Sequence, residues 1–197
     1  DYILKNCSFK MQSKKKYALV GVNGAGKSTI IKLITGMYND YSGKILLNGL
    51  DIKDYDYTML KGIISVVFQD FCKYETTVKD NIIVGRGFEY DQNEVNNIID
   101  KLELNELNEN LKNGLDTTIG KAIEEGVDLS GGQWQKLAIS RLLYSDAQIN
   151  ILDEPTAALD PIAEGNTYKL FDSVSDEKFV IYITHRLGAI KMVDEIL

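Results

Sequence analysis

Four short apolar runs rich in β-branched residues punctuate the chain: Tyr17–Val20, Ile63–Phe68, Ile149–Leu152 and Phe179–Ile183. Continuous rather than alternating apolar character marks a strand buried on both faces. Helix-like segments separate the runs, so the pattern predicts an α/β fold around a mostly parallel sheet. A further run, Lys44–Leu47, leads into Asn48-Gly49. That dipeptide tolerates the positive φ angles of a tight hairpin, which predicts a small antiparallel annex.

The period changes in the middle of the chain. From about Thr76 to Tyr144 it is helical, and Val95, Ile98, Ile99 and Leu102 fall on one helix face with Asn and Glu opposite. Asp91, with Glu94 three residues on, resembles a capping box. An amphipathic helix packing its stripe inward accounts for this stretch. The chain therefore reads as one domain, 1–197, in which a helical subdomain, 72–144, interrupts a strand-rich core, 1–71 and 145–197.

Composition narrows the function. At 44% hydrophobic and 26% charged residues, the 197-residue chain has ordinary globular content. A net charge of −7 argues against broad nucleic-acid binding, which needs clustered Lys and Arg. The only basic run, Lys14–Lys16, reads as a solvated turn. Cys7 and Cys72 have no paired spacing, so no disulfide or zinc framework is expected and a reducing compartment fits. No apolar run approaches the ~20 residues of a membrane span, and no signal peptide is present. The chain opens at Asp1 without a Met and stops in Asp194–Leu197, which looks like an unfinished element. Both ends read as cuts in a longer protein.

Candidate chemistry begins after the first strand. Gly21-Val-Asn23-Gly24-Ala25-Gly26-Lys27-Ser28 matches G-x-x-x-x-G-K-[ST]. Glycines let the backbone curl so that successive N–H groups face phosphate oxygens. The helix expected from about Lys27 to Met37 turns its positive end toward the same anion. Lys27 would neutralise the β- and γ-phosphates, and Ser28 would ligate Mg²⁺, with Thr29 next along the helix. This signal marks a P-loop nucleoside triphosphatase. The strand Ile149–Leu152 ends in Asp153-Glu154. With a phosphate loop upstream, Asp153 is a candidate to hold Mg²⁺ and Glu154 to polarise the attacking water. Asn150 is a polar residue in a buried strand and needs a partner.

Leu129-Ser130-Gly131-Gly132-Gln133 sits upstream of the acidic pair. Ser130 can cap the helix that follows, with Gln133 as its box partner, and two glycines expose N–H groups at a positive helix end. The segment resembles the signature motif of ATP-binding-cassette (ABC) ATPases. Gln69, Ala158-Leu159-Asp160 and His185 resemble that family's Q-loop glutamine, D-loop and switch histidine. Gly21, Gln69, Asp153, Glu154 and His185 all follow expected strands, which puts them on one sheet edge. Phe68-Gln-Asp-Phe-Cys-Lys-Tyr74 and Gly131-Gly-Gln-Trp-Gln-Lys136 resemble bacterial exporters of lantibiotics and related peptides.

The resemblance implies a P-loop, RecA-like core. It implies catalytic roles for Glu154, His185 and Gln69, and Mg²⁺ held by Ser28, Gln69 and Asp153. It also implies ATP sandwiched between the phosphate loop of one copy and Ser130–Gln133 of a second, paired head to tail. A transmembrane domain, fused upstream, would be the partner at the cytoplasmic face of a bacterial membrane. Phe71 and Tyr74 would transmit closure to it. The chain departs from the family in three places. The adenine-stacking aromatic would fall before Asp1, Tyr2 being close but misplaced; the family's late strands and C-terminal helices would fall after Leu197; and Gly120–Gly126 is longer than the usual exporter link. The alternative is a soluble ABC ATPase of the translation-factor or DNA-repair type. A GTPase is disfavoured, because no Asn-Lys-x-Asp segment occurs.

Overall fold

The computed structural model describes residues 3–105, 111–123, 126–155, 165–169, 171, 178–184 and 187–197. The chain divides into two compact units, Asp1–Val66 with Ala147–Glu154 and Ser175–Leu197, and Val67–Asp146 with Pro155–Val174.

The first unit is built on strands β1 (Lys16–Leu19), β4 (Ile64–Val67, whose last residue begins the second unit), β5 (Ile149–Asp153), β6 (Phe179–Ile183) and β7 (Glu195–Ile196), ordered β4-β5-β6-β1-β7. The pairs β5/β6, β6/β1 and β1/β7 are parallel. Tyr17, Ala18, Ile151, Leu152 and Val180 are buried, as continuous apolar runs require. The Tyr17 hydroxyl accepts a bond from the Gln12 amide, and its ring lies 5.6 Å from that of Phe179. Helix α1 (Lys27–Ile34) follows β1, burying Ile31. β2 (Leu46–Leu47) and β3 (Leu50–Asp51) form the antiparallel annex, with Asn48 and Gly49 at φ 52° and 86°. These are the angles that favoured Asn-Gly in the sequence.

The structure revises three details in this unit. Ile63 is not the first residue of a strand but the last of helix α2 (Tyr57–Ile63), which Asp56 caps by accepting from the Thr58 amide. The terminal stretch forms β7, with Leu197 donating to Ala18 and accepting from Val20. The lysine run is a turn at Lys14 (φ 60°), after which Lys15 pairs with Glu195 at 2.5 Å.

The second unit holds helices α3 (Val78–Ile83), α4 (Gln92–Lys101) and α5 (Gly131–Tyr144). The stripe Val95, Ile98, Ile99 and Leu102 is buried. Asp91 caps α4 through the Asn93 and Glu94 amides. The expected box is only half made, because Glu94 turns to Arg86 in a bidentate pair at 2.7 and 2.8 Å. The Asp91 amide donates instead to the buried Tyr144 hydroxyl at 2.8 Å, which itself donates to the Glu89 carbonyl. Within this otherwise helical stretch, Thr77 bridges Thr118, and Ile119 bridges Val127. Among the described residues no helix is long and apolar enough to cross a membrane.

Candidate functional site

Three neighbouring parallel strands bring the first group of candidates together. Ile183 of β6 is in register with Leu19 of β1 on one side and Asp153 of β5 on the other. Parallel neighbours lie about 4.8 Å apart, so the loop leaving β1 and the carboxylates ending β5 emerge from the same sheet edge. Ligands bind at that carboxyl edge in open α/β sheets.

The loop Gly21–Ser28 curls through Gly24 (φ 81°) and Gly26 (φ 92°). A β-carbon at Gly26 would lie 2.8 Å from Leu4 Cδ2 and 3.1 Å from Ile3 Cγ2, so that position is closed both by backbone angle and by space. Gly26 is the N-cap of α1, and neither a side-chain cap nor an acidic residue in the first turn occupies that helix end. The other described helices of six residues or more are capped by Asp56, Thr77, Asp91 and Ser130. The first amides of α1 therefore keep their positive end for an external anion. Lys27 Nζ donates to the carbonyls of Gly21 at 2.6 Å and Val22 at 3.1 Å, which holds its ammonium across the loop. Asn23, Gly24, Ala25 and Ser28 are exposed, and Thr29 is half-buried.

Ser28 Oγ donates to Asp153 Oδ2 at 3.3 Å, and Asp153 is buried. A hydroxyl and a carboxylate are hard oxygen donors that fit a small divalent cation such as Mg²⁺. Among the described residues no group of three or more His, Cys, Asp or Glu could hold a metal ion. Glu154 lies in the left-handed region (φ 47°), its amide bonded to the Ile183 carbonyl at 3.0 Å. A non-glycine residue in that region carries about 1–2 kcal/mol of backbone strain.

Ser130–Gln133 begins α5 in the second unit. The full capping box is present: Ser130 Oγ accepts from the Gln133 amide at 3.2 Å, and Gln133 Oε1 accepts from the Ser130 amide at 2.9 Å. Both box bonds use Ser130 and Gln133, so Gly131 and Gly132 carry bare backbone at the helix start. Gln69 follows β4 by two residues and is exposed, also in the second unit. Asp160 and His185 lie outside the described residues.

Sequence reasoning missed Asn81 and Arg141. Asn81 is fully buried within α3 beside Val78 and Ile82. Its polar side chain in an apolar helix face was the available signal. The partner expected for Asn150 is not found for its Oδ1, which is buried without a hydrogen bond among the described residues.

The chain is similar to known proteins along its length. The family model described as "ABC transporter" matches residues 4–157. The subtilin transport ATP-binding protein SpaT of Bacillus subtilis is 43% identical, over 100% of this chain and 32% of its own length. The nisin transport ATP-binding protein NisT of Lactococcus lactis subsp. lactis is 38% identical, over 100% and 33%. A solved bacterial Atm1-family ABC exporter with ATP bound matches with a TM-score of 0.89 and 35% identity, over 99% of this chain and 33% of that one. The chain thus spans about a third of the length of the curated relatives it matches.

Proposed function

Because this chain belongs to the ABC transporter family and is its ATP-binding, ATP-hydrolysing domain, we propose that Gly21–Ser28 is half of an ATP site whose other half is Ser130–Gln133 of a second copy. The single observation that carries this reading is the uncapped, glycine-opened N-terminus of α1 beside the Ser28–Asp153 pair. The amides from Gly24 to Ser28 and the Lys27 ammonium hold the β- and γ-phosphates. Ser28 and Asp153, with Gln69, hold Mg²⁺, which supplies charge neutralisation on the phosphates when bound. Glu154 accepts a proton from the attacking water, His185 contacts the γ-phosphate, and Asp160 lies in the D-loop. Catalysis on this reading is positioning and electrostatics, without a covalent intermediate.

Nucleotide held between two copies glues them together, and its hydrolysis lets them part. A transmembrane domain converts that cycle into export at the cytoplasmic face of a bacterial membrane. The subtilin- and nisin-transport relatives support a peptide of the lantibiotic kind as cargo. Lys27→Ala tests the phosphate-loop assignment. A hydrogen bond to a charged group contributes about 1.5–3 kcal/mol, so ATP should bind about 10- to 150-fold more weakly by fluorescence titration. Unchanged ATP affinity overturns the assignment.

A further inference from the structure

Arg141 sits near the end of α5, three turns beyond Ser130. Its guanidinium holds a segment that has no regular structure of its own. Nη1 donates to the Cys72 carbonyl at 2.6 Å. Nη2 donates to Asn81 Oδ1 at 2.5 Å, and Nε to the Asn81 carbonyl at 3.3 Å. The cation lies 4.3 Å from the centroid of the Tyr74 ring. Asn81 completes the knot, its Nδ2 donating to the carbonyls of Tyr74 at 2.9 Å and Thr77 at 3.0 Å. Two carbonyls of the stretch 72–74 are thus held by side chains from two different helices. Burial pulls the Arg141 pKa below its ordinary value while Tyr74 and Cys72 act the other way, and the group stays charged.

We propose that Arg141 is a positioning residue: it locks the 72–74 segment to the helix that carries Ser130–Gln133, so that any displacement of α5 is delivered to Lys73 and Tyr74. This rests on the reading above, in which nucleotide engages the start of α5 and the segment after Gln69 meets a membrane partner. A planar fork is what the geometry needs. Lysine offers the same charge but cannot serve two carbonyl-bearing partners and a ring face together. Tyr74, 45% exposed, and Cys72, also exposed, are parts of the knot reachable from outside.

The test is Arg141→Lys, with Arg141→Ala beside it, in the full-length membrane protein that contains this chain, reconstituted in lipid. Amide exchange across 72–76 should rise about tenfold, while α4 and the first turn of α5 keep the parental rate. ATP turnover should fall about tenfold in kcat, with KM for ATP within twofold, because misplacement and not binding is affected. Arg141→Lys should recover no more than a small part of what Arg141→Ala loses. Unchanged exchange at 72–76, a rise spread over the whole second unit, a loss carried by KM, or full rescue by lysine would each overturn the proposal. The exchange readout stands even if Lys27→Ala refutes the phosphate site, so the two readings fail separately.

Discussion

Replacing Gly26 by alanine should cost the phosphate loop more than its one methyl group suggests. The residue sits at φ 92°, where an L side chain costs about 1–2 kcal/mol. The new Cβ would also lie 2.8 Å from Leu4 Cδ2 and 3.1 Å from Ile3 Cγ2. Leu4 Cδ2 ends a flexible side chain, while Ile3 Cγ2 is borne on Cβ and moves only with χ1, so the clash relaxes by turning both side chains off their rotamers, at about 0.5–1.5 kcal/mol. The sum, about 1.5–3.5 kcal/mol, must be met each time the loop takes the shape that faces phosphate. At 1.4 kcal/mol per decade, ATP should bind about 10- to 300-fold more weakly. Gly24→Ala separates the two causes: at φ 81° with nothing within 4 Å of the added carbon, it bears only the backbone part. Its loss should be about 5- to 30-fold. Gly43→Ala, equally strained at φ 97° and equally open, but in the stretch between α1 and β2, controls for general destabilisation. ATP titration on the three variants, each checked for its melting temperature, measures this. Parental affinity in Gly26→Ala, or an equal loss in Gly43→Ala, would show that the Gly26 conformation does not govern phosphate binding.

Two further substitutions probe the framework. Ser130→Ala removes one half of the box that starts α5. It should cost about 1 kcal/mol of stability, or about 2–4 °C in melting temperature, while turnover falls far more than that loss explains. Turnover falling only in step with stability would reduce Ser130 to a cap. Asn150→Val should be neutral or stabilising by up to about 2 kcal/mol, because its Oδ1 is buried without a partner among the described residues, between apolar Ile149 and Ile151. Denaturant unfolding showing a loss above 1 kcal/mol would mean that the carbonyl is engaged after all.

Where local chemistry decides, the sequence was readable. The sheet strands are continuous apolar runs because both faces are covered, and their ends fall within one residue of the reading for β1, β5 and β6. Asn48-Gly49 and the Ser130–Gln133 box are rules that act over two to four residues. The failures lie where distant residues decide. Glu94 has the right spacing to complete a box with Asp91, but a bidentate arginine eight residues upstream offers more than one amide does. Strand β7 is two residues long and exposed, and only pairing with β1 makes it a strand. Arg141 drew no notice in the sequence, because its partners lie 60 and 69 residues away. For the site, the strand-end rule foretold that Gly21 and Asp153-Glu154 share an edge. The left-handed turn at Glu154 carried no signal beyond the following Pro155.

On the proposed reading, ATP is bound by one set of residues and cleaved by another, with two copies closed around it. Glu154→Gln keeps the loop, Lys27, Ser28 and Asp153 and removes only the proton acceptor. Purified with ATP and Mg²⁺ and followed by light scattering and phosphate release, it should bind ATP with parental affinity, accumulate as a dimer and lose at least about a hundredfold in turnover. A variant that turns over at the parental rate, or that binds ATP without pairing, would contradict the account.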